Sequence, residues 1–413
     1  MSLKILRHNV KKIKLCDMSA YEDETLYVDI EKLKKICLEG INGYELNFYV
    51  AIPGEKTRII HITDVVKPSH KENASTFPGW LPGESKSGEG ETHQIEGLSI
   101  MQCCTFSGIQ EGIVDMWGNG AKFSQFSSKI NLVMEVNIVD KNMTNEILAH
   151  DLIMMNLRAA DYLASICTDS VPNNEETFEI RDFSELPKIG YTYFIQAQGN
   201  LRNVHLGGQN CVEMSPVSLN PCKLIDGELI SGNYIIACQK NPTYFHQENP
   251  VILDLFARDG KELSFGGVII STESNLNDSK KNNARIIADI AKQNKFDGII
   301  VTQEGGGHAD VDLMMTLDAC VENGIAVVLQ TNEIAGPGGD LPPLVCYSKH
   351  ADAIVTNGNN DEIIDLEAAD TVIGGESILN GKFNPYEAFS TNLGIMYTST
   401  NQLGANYMTT LEY

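Results

Sequence analysis

Apolar and polar positions alternate along the first part of the chain in the way that is typical of β-strands. TLYVDI, ELNFYVAIPG and TRIIHITDVV show this pattern within residues 25–66, and EGLSIMQCCTF and INLVMEVNIV show it again within residues 96–139. Residues 67–94 are rich in proline, glycine, serine and charge, which predicts a long connection. Helical apolar spacing then predicts an α-helix over about residues 142–167, and KIGYTYFIQAQG predicts another strand. We therefore expect an α+β first half.

The last 150 or so residues alternate between apolar runs and amphipathic stretches. FGGVIIST, FDGIIVT, GIAVVLQT and ADAIVTNG read as buried strands, whereas NDSKKNNARIIADIAKQN and residues 310–323 read as helices. Strands that alternate with helices predict a parallel, doubly wound sheet. The expected fold class is α/β, with an α+β N-terminal half and a doubly wound, Rossmann-like C-terminal half.

Chain length, net charge and cysteine spacing limit the number of domains, the kinds of partner and the location that we expect. A chain of 413 residues is long for one core, so two or three domains are expected. The formal net charge of −24 opposes binding to nucleic acid or to anionic membranes. No apolar run reaches the roughly 18 residues of a membrane helix, and the first 20 residues lack the apolar core of a signal peptide. The ten cysteines form no Cys-x-x-Cys pattern, so we expect reduced thiols and a cytoplasmic location.

Three glycine-bearing loops follow predicted strands and form a candidate ligand site. They are TQEGGGHADVD, TNEIAGPGGDLPP and TNGNNDE. Ligands of open parallel sheets bind at the carboxyl ends of the strands, where these loops would converge. The first loop runs into a helix N-terminus, which favours a carboxylate or another anion. The alternative is that all three loops are only tight turns.

The spacing of Glu304 and His308 raises the question of a metal site. Gly305, Gly306 and Gly307 separate the two residues, so helical geometry cannot be assumed between them. His308, Asp310 and Asp312 have suitable ligand chemistry, but hydrogen bonding and helix capping by Asp310 are the favoured interpretation. We therefore expect no metal.

Four segments resemble one known family over nearly the whole chain. QEGIVDMWGNGA (110–121), IDGELISGN (225–233), ACQKNPTYFHQENPVILDLFARDGK (237–261) and TQEGGGHADVDL (302–313) are similar to the precursor of component B of glycine, sarcosine and betaine reductases. The D-proline reductase precursor is a more distant relative. This resemblance implies an oxidoreductase subunit that takes part in reductive C–N cleavage of an amine or amino acid, as in the Stickland fermentation of anaerobes.

The resemblance also implies self-cleavage, and position 234 departs from it. In the family, a cysteine after Ser-Gly-Asn becomes an N-terminal pyruvoyl group on the downstream fragment. This chain has Tyr234 there, after Asn233. Cleavage needs a nucleophile on Cβ, and pyruvoyl formation needs that same group to leave. Tyrosine offers neither, so we expect one uncleaved chain without pyruvoyl or any other cofactor. Tyr234 would then fill space near the old reaction centre.

Other cysteines do not replace the missing one on this reasoning. Cys238 lies four residues downstream, but the family also has a cysteine there, so it is not a relocated nucleophile. Asn210-Cys211 imitates the dipeptide but lies well upstream of the family's cleavage position.

The expected regions are a strand-rich region at 1–94, an α+β region at 95–233 that matches the upstream fragment, and a Rossmann-like domain at 234–413. A degenerate cleavage site and a substrate site are expected. The residues of the degenerate cleavage site are Asn233, Tyr234 and Cys238. The residues of the substrate site are Glu304, Gly305, Gly306, Gly307, His308, Asp310, Asp312, Asn332 and Glu333. Glu304 and Asp310 would orient the substrate amine.

Three functions remain open at the level of the sequence. The first is a substrate-binding, uncleaved component B subunit with a small amine or amino-acid-like ligand. It would assemble into a homo- or hetero-oligomer with a selenoprotein or with paralogous reductase subunits, one of which would supply any pyruvoyl. The second is a non-catalytic scaffold or regulatory paralogue. The third is a repurposed enzyme that uses Cys238, His308 or acidic loop residues.

Overall fold

The computed structural model of the chain describes residues 2–71, 77–80, 87–106, 111–197, 201, 204–232, 236–351, 353–379, 381–406 and 408–412. Within these residues the chain forms 26 β-strands and seven α-helices. The strands are β1 (Ser2–Asn9), β2 (Lys12–Cys16), β3 (Ala20–Glu22), β4 (Thr25–Asp29), β5 (Tyr44–Ala51), β6 (Thr57–Ile59), β7 (Ile62–Val66), β8 (Ser69–Lys71), β9 (Gly90–Glu96), β10 (Leu98–Cys104), β11 (Val114–Asp115), β12 (Ile130–Ile138), β13 (Asn174–Glu179), β14 (Lys188–Ile195), β15 (Val204–Leu206), β16 (Gln209–Asn210), β17 (Val217–Leu219), β18 (Leu229–Ser231), β19 (Ser264–Thr272), β20 (Gly298–Thr302), β21 (Ala326–Glu333), β22 (Ala353–Asn359), β23 (Ile363–Leu366), β24 (Thr371–Ile373), β25 (Phe389–Asn392) and β26 (Thr409–Glu412). The helices are α1 (Ile30–Cys37), α2 (Asn145–Ser165), α3 (Pro221–Ile225), α4 (Thr243–Gln247), α5 (Pro250–Arg258), α6 (Asn277–Gln293) and α7 (His308–Glu322).

A seven-stranded sheet confirms the expected α/β fold class. Its strand order is β17-β19-β14-β20-β21-β22-β26, and the five inner strands run parallel while each edge strand runs antiparallel. Helices α6 and α7 connect successive parallel strands and bury one face against the sheet. Ile287 of α6 and Leu313 and Leu317 of α7 share a hydrophobic cluster with Ile269 and Val301 of the sheet. This arrangement brings the carboxyl ends of the inner strands to one edge.

One inner strand of this sheet comes from the part of the chain that was expected to be α+β. Strand β14 lies between β19 and β20 and is parallel to both. It tolerates two buried tyrosines because both hydroxyl groups are hydrogen-bonded: Tyr191 to Thr302 Oγ1 at 2.7 Å, and Tyr193 to Asn241 Nδ2 at 2.9 Å. The apolar run of KIGYTYFIQAQG therefore reflects burial on both faces of a parallel sheet.

The N-terminal part contains two four-stranded sheets, with orders β13-β1-β9-β8 and β5-β12-β10-β7. Helix α2 confirms the predicted helix and begins after Thr144, whose side chain accepts a hydrogen bond from the Ile147 N–H at 3.3 Å. Residues 67–94 were expected to be a connection, but β8 and most of β9 lie within them. The polar sequence of β9 is explained partly by a buried pair, in which His93 Nδ1 lies 2.9 Å from His8 Nε2.

The expected region boundaries do not coincide with divisions between sheets. The 94/95 boundary falls inside β9, and the 233/234 boundary separates β14 from its neighbours in the seven-stranded sheet. In addition, β24, near the C-terminus, pairs in parallel with β6. Hydrogen bonds between strands therefore join the two sides of position 233/234.

The described helices include none with both the length and the apolar character needed to cross a membrane.

Candidate functional site

Buried polar groups hold the Ser231-Gly232 segment, which leads to the expected cleavage position. Strand β18 ends at Ser231, whose backbone N–H donates to Thr243 Oγ1 at 2.9 Å. Lys240 Nζ donates to the Ser231 carbonyl at 3.1 Å and to Ser231 Oγ at 2.8 Å. Asn233 and Tyr234, two of the expected site residues, lie outside the described residues. The described chain on both sides of them is thus cross-linked by one lysine and one threonine.

Asp64, from another strand, holds Thr243 in place. It lies in β7, and its two oxygens accept from the Thr243 N–H at 3.0 Å and from Thr243 Oγ1 at 2.6 Å. Burial raises the pKa of Asp64 to about 6, although the nearby Lys240 ammonium opposes the shift. Burial also lowers the pKa of Lys240, which is 1% exposed, while Asp64 and Glu304 act in the opposite direction.

The glycine loop between β20 and α7 has the backbone geometry that its sequence requires. Gly305 and Gly307 have φ angles of 74° and 75°, in the left-handed region that favours glycine. Helix α7 has Gly307 as its N-cap, and glycine has no side chain that could cap the helix. Asp310 is held by Gln303 Nε2 at 2.9 Å and by the Val345 N–H at 3.0 Å. Burial raises the pKa of Asp310, and a hydrogen bond from the Gly307 N–H is among the effects that oppose this rise. Asp310 thus caps the helix from within its first turn.

Glu304 is a buried carboxyl residue at the carboxyl edge of the seven-stranded sheet. Its side chain is 2% exposed, and Oε2 accepts from the Gln196 N–H at 2.9 Å. Within the described residues, Oε1 has no hydrogen-bond partner. Burial raises the pKa of Glu304 to about 7, while Lys240 and the backbone N–H groups of Gln196 and Asn241 lower it. A carboxyl group with this pKa changes its charge near neutral pH.

The segment after the expected cleavage position lies against the glycine loop. A Cβ placed on Gly306 would lie 3.3 Å from Gln239 Nε2. Gln402 Nε2 donates to the Gly305 carbonyl at 2.6 Å, and the Thr400 N–H donates to the Cys238 carbonyl at 3.0 Å. The described part of the chain thus brings residues 236–241 to the same sheet edge as residues 304–306.

Asn332 and Glu333 lie at the end of β21 and bind protein groups. Asn332 Nδ2 donates to Asn360 Oδ1 at 2.7 Å, and Asn332 Oδ1 accepts from Gln402 Nε2 at 2.7 Å. Glu333 Oε1 accepts from the Thr356 hydroxyl group. These contacts hold the strand ends in register with the 398–402 segment.

Asp312 and His308 lie at the start of α7 but have different environments. Asp312 forms a buried ion pair with Lys280 of α6, and burial raises its pKa to about 6 despite that partner. Lys280 Nζ also donates to the His308 carbonyl at 2.8 Å, whereas the His308 side chain is exposed. In the described part of the chain, no three His, Cys, Asp or Glu side chains are placed to hold one metal ion.

Cys238 is buried in a short 3-10 helix, with 0% of its surface exposed. Burial raises the pKa of its thiol to about 12, so the thiolate needed for nucleophilic attack is rare at neutral pH.

The residues present do not fit a self-generated pyruvoyl group. The side chain at position 234 is a tyrosine, whose Cβ carries a ring in place of sulfur or oxygen. Among the described residues nearby, Cys238 offers a buried thiol, and Ser231 offers a hydroxyl group that already accepts a hydrogen bond from Lys240.

Sequence reasoning missed Asp64, Gln196, Gln239 and Gln402. Asp64 and Gln402 lie far from the glycine loop in sequence, and no local pattern marks them. Gln239 and Lys240 lie in the segment ACQKNPTY, which carried the family resemblance. The sequence therefore did contain a signal that could have identified these two residues.

The chain is similar to known proteins along its whole length. A family model described as "Glycine/sarcosine/betaine reductase component B subunits" matches residues 1–410. The chain is 32% identical to "Glycine reductase complex component B subunits alpha and beta" of Acetoanaerobium sticklandii, and all of both chains is covered. It is 30% identical to "Sarcosine reductase complex component B subunit alpha" of Peptoclostridium acidaminophilum, again with full coverage. It is 29% identical to that organism's "Betaine reductase complex component B subunit alpha", which covers 91% of this chain and 88% of the relative. No solved structure matches.

Proposed function

Because the chain belongs to the family of glycine/sarcosine/betaine reductase component B subunits, we propose that it is the substrate-binding subunit of such a reductase complex and that it acts without self-cleavage. Its ligand is a small amine of the amino-acid type. Its partners are a selenoprotein or paralogous reductase subunits, in a homo- or hetero-oligomer within the cytoplasm. The complexes named for its relatives support the presence of partners.

One observation carries the proposal. Glu304 Oε1, which has no partner among the described residues, and the side-chain amide of Gln239 flank the Gly305–Gly306 backbone at the carboxyl edge of the parallel inner strands. Burying polar atoms without partners costs free energy, so a fold that retains them at a ligand-binding edge favours a ligand that pairs with them. The N-terminal amides of α7, a 15-residue helix, supply a favourable field for the ligand's carboxylate.

The chain itself then performs binding and orientation. Glu304 accepts the ammonium group, and Lys240, Thr243 and Asp64 hold the 231–243 segment against that position. The electrophilic and redox steps belong to other members of the complex, because Tyr234 cannot form the pyruvoyl group.

The other two functions have weaker support. Repurposed catalysis by Cys238 conflicts with the burial and raised pKa of its thiol. A pure scaffold function gives no role to the buried Glu304 oxygen that has no partner in the described chain.

Ligand titration tests the proposal. The intact protein is titrated calorimetrically with short amino acids and their N-methyl derivatives, and at least one is expected to bind. Glu304→Gln is expected to weaken that binding about tenfold, whereas Glu322→Gln, an exposed match on α7, leaves it unchanged. If no member of the panel binds to the folded protein, the chain is not an amine-binding subunit.

A further inference from the structure

We propose that the site selects primary and secondary amines and rejects quaternary ammonium ligands, because the buried atoms around Gly305 and Gly306 that lack partners in the described part of the chain are mainly hydrogen-bond acceptors. This inference rests on the proposed function and specifies its substrate class. The relatives are named for glycine, sarcosine and betaine reductase complexes. Their three named compounds carry a primary, a secondary and a quaternary nitrogen, respectively.

The acceptors come from three separate parts of the chain. They are Glu304 Oε1, Gln239 Oε1 and Gln402 Oε1, and all three lack hydrogen-bond partners within the described residues. Glu304 is 2% exposed, and Gln239 and Gln402 are 0% exposed, so bulk water does not compensate them. Gln239 Nε2 is a hydrogen-bond donor that also lacks a partner among the described residues.

Neighbouring contacts fix these side chains around one stretch of backbone. Gln402 is held by its donations to the Gly305 carbonyl, Thr331 Oγ1 and Asn332 Oδ1. Glu304 is held through Oε2 by the Gln196 N–H. Gln239 Nε2 lies beside Gly306, where a Cβ would come within 3.3 Å of it. The acceptors are therefore positioned before any ligand arrives.

The balance of donors and acceptors determines the ligand class. A primary ammonium group offers three N–H donors and a secondary one offers two, so each satisfies acceptors of this kind. A quaternary ammonium group offers none and leaves every acceptor unpaired, which lowers affinity by about tenfold or more for each lost hydrogen bond.

A quaternary ligand is normally held by the faces of aromatic rings. The two tyrosines of β14 do not provide such faces. Tyr191 and Tyr193 stack on each other at a centroid distance of 6.0 Å, and both are 0% exposed. The hydroxyl groups of both rings are also engaged in hydrogen bonds.

The test is a calorimetric comparison of glycine, sarcosine, N,N-dimethylglycine and betaine on the intact chain at pH 8. All four share one carboxylate, so differences report on the nitrogen. We expect glycine or sarcosine to bind at least about tenfold more tightly than betaine. Glu304→Gln and Gln239→Met should reduce that preference, while Glu322→Gln should preserve it. Thermal melting of each variant identifies any that fail to fold, and the wild-type ranking is decisive without them.

The outcomes separate the two claims. If betaine binds as tightly as glycine or more tightly, the selection of amines with N–H groups is wrong while the amine-binding function stands. If no compound binds, the proposed function fails and this inference fails with it. If glycine is preferred but both variants keep the full preference, the assignment to Glu304 and Gln239 is overturned.

Discussion

At the scale of single residues, Glu304 is the proposed acceptor of the ligand's ammonium group, and its pKa lies near neutral pH. Its pKa is raised to about 7 mainly by burial, and ionisation creates the charge that an ammonium ligand needs. We expect the affinity for glycine to rise between about pH 6 and pH 8, because the carboxyl group loses its proton over this range while the free amino acid stays protonated at nitrogen. Calorimetry across this range measures the effect. In Glu304→Gln the profile should be flat, and a slope that persists there would assign the titration to another group.

Position 234 is the second residue that carries a prediction. Tyr234→Cys restores a Cβ nucleophile next to a segment still held by Lys240 and Thr243. We expect slow cleavage at 233/234, seen as two fragments by denaturing mass spectrometry. Tyr234→Ala removes the ring without adding a nucleophile and should remain intact. If Tyr234→Cys also stays intact, the surroundings no longer support acyl transfer, and the scaffold function gains support.

At the scale of elements, helix α4 depends on a residue from a distant strand. Its N-cap is Pro242, which supplies no side-chain cap, and Asp64 of β7 accepts the Thr243 N–H and hydroxyl groups instead. We expect Asp64→Ala to lower the free energy of unfolding by about 2–4 kcal/mol, because it leaves the Thr243 N–H and hydroxyl donors unpaired in the interior and removes a carboxylate that favours the charged form of the buried Lys240.

Chemical denaturation at pH 7 measures this loss. Asp64→Asn should retain part of the stability, because its carbonyl oxygen can still accept the Thr243 N–H. The exposed Asp17→Ala should change the free energy of unfolding by less than about 0.5 kcal/mol. An equally small change in Asp64→Ala would show that α4 is stabilised without this contact.

At the scale of the whole molecule, we expect one polypeptide. Tyrosine at the expected cleavage position lacks the chemistry for cleavage, so denaturing mass spectrometry should show one species near 45.4 kDa. Fragments that meet at 233/234 or at 210/211 would contradict this expectation. Native mass spectrometry alone is insufficient, because β14 lies between β19 and β20 and would keep two fragments associated.

The absence of a reactive carbonyl is a separate expectation for the purified chain. Phenylhydrazine, or borohydride in the presence of an amine, should leave its mass unchanged, since Tyr234 carries neither a nucleophile nor a leaving group on Cβ. A known pyruvoyl protein serves as the positive control. A stoichiometric adduct on a new N-terminus would show that another residue has taken over the chemistry.

Local pattern by itself determined the α/β class, the helices α2, α6 and α7, and the glycine loop, because periodic burial and glycine backbone requirements are properties of neighbouring residues. The resemblance carried by short motifs pointed to the family for a similar reason. Local pattern does not specify which strands become neighbours. The apolar sequence of β14 indicates that the strand is buried, but it does not indicate that the strand lies within the C-terminal sheet.

Only the tertiary structure decided how the candidate site is built. Asp64, Gln239, Glu304 and Gln402 are widely separated along the chain, and only the packing of different elements brings Gln239, Glu304 and Gln402 to the glycine loop and Asp64 to the neighbouring Thr243. The same packing decided which carboxyl groups are available. Asp310 is held through both oxygens by Gln303 Nε2 and the Val345 N–H, and Asp312 is paired with the Lys280 ammonium through Oδ2. Glu304 and Asp312 each keep one oxygen without a partner in the described chain, and the oxygen of Glu304 is the one beside the glycine loop. The physical reason is that burial and hydrogen-bond pairing depend on contacts between distant residues, and a linear pattern does not contain those contacts.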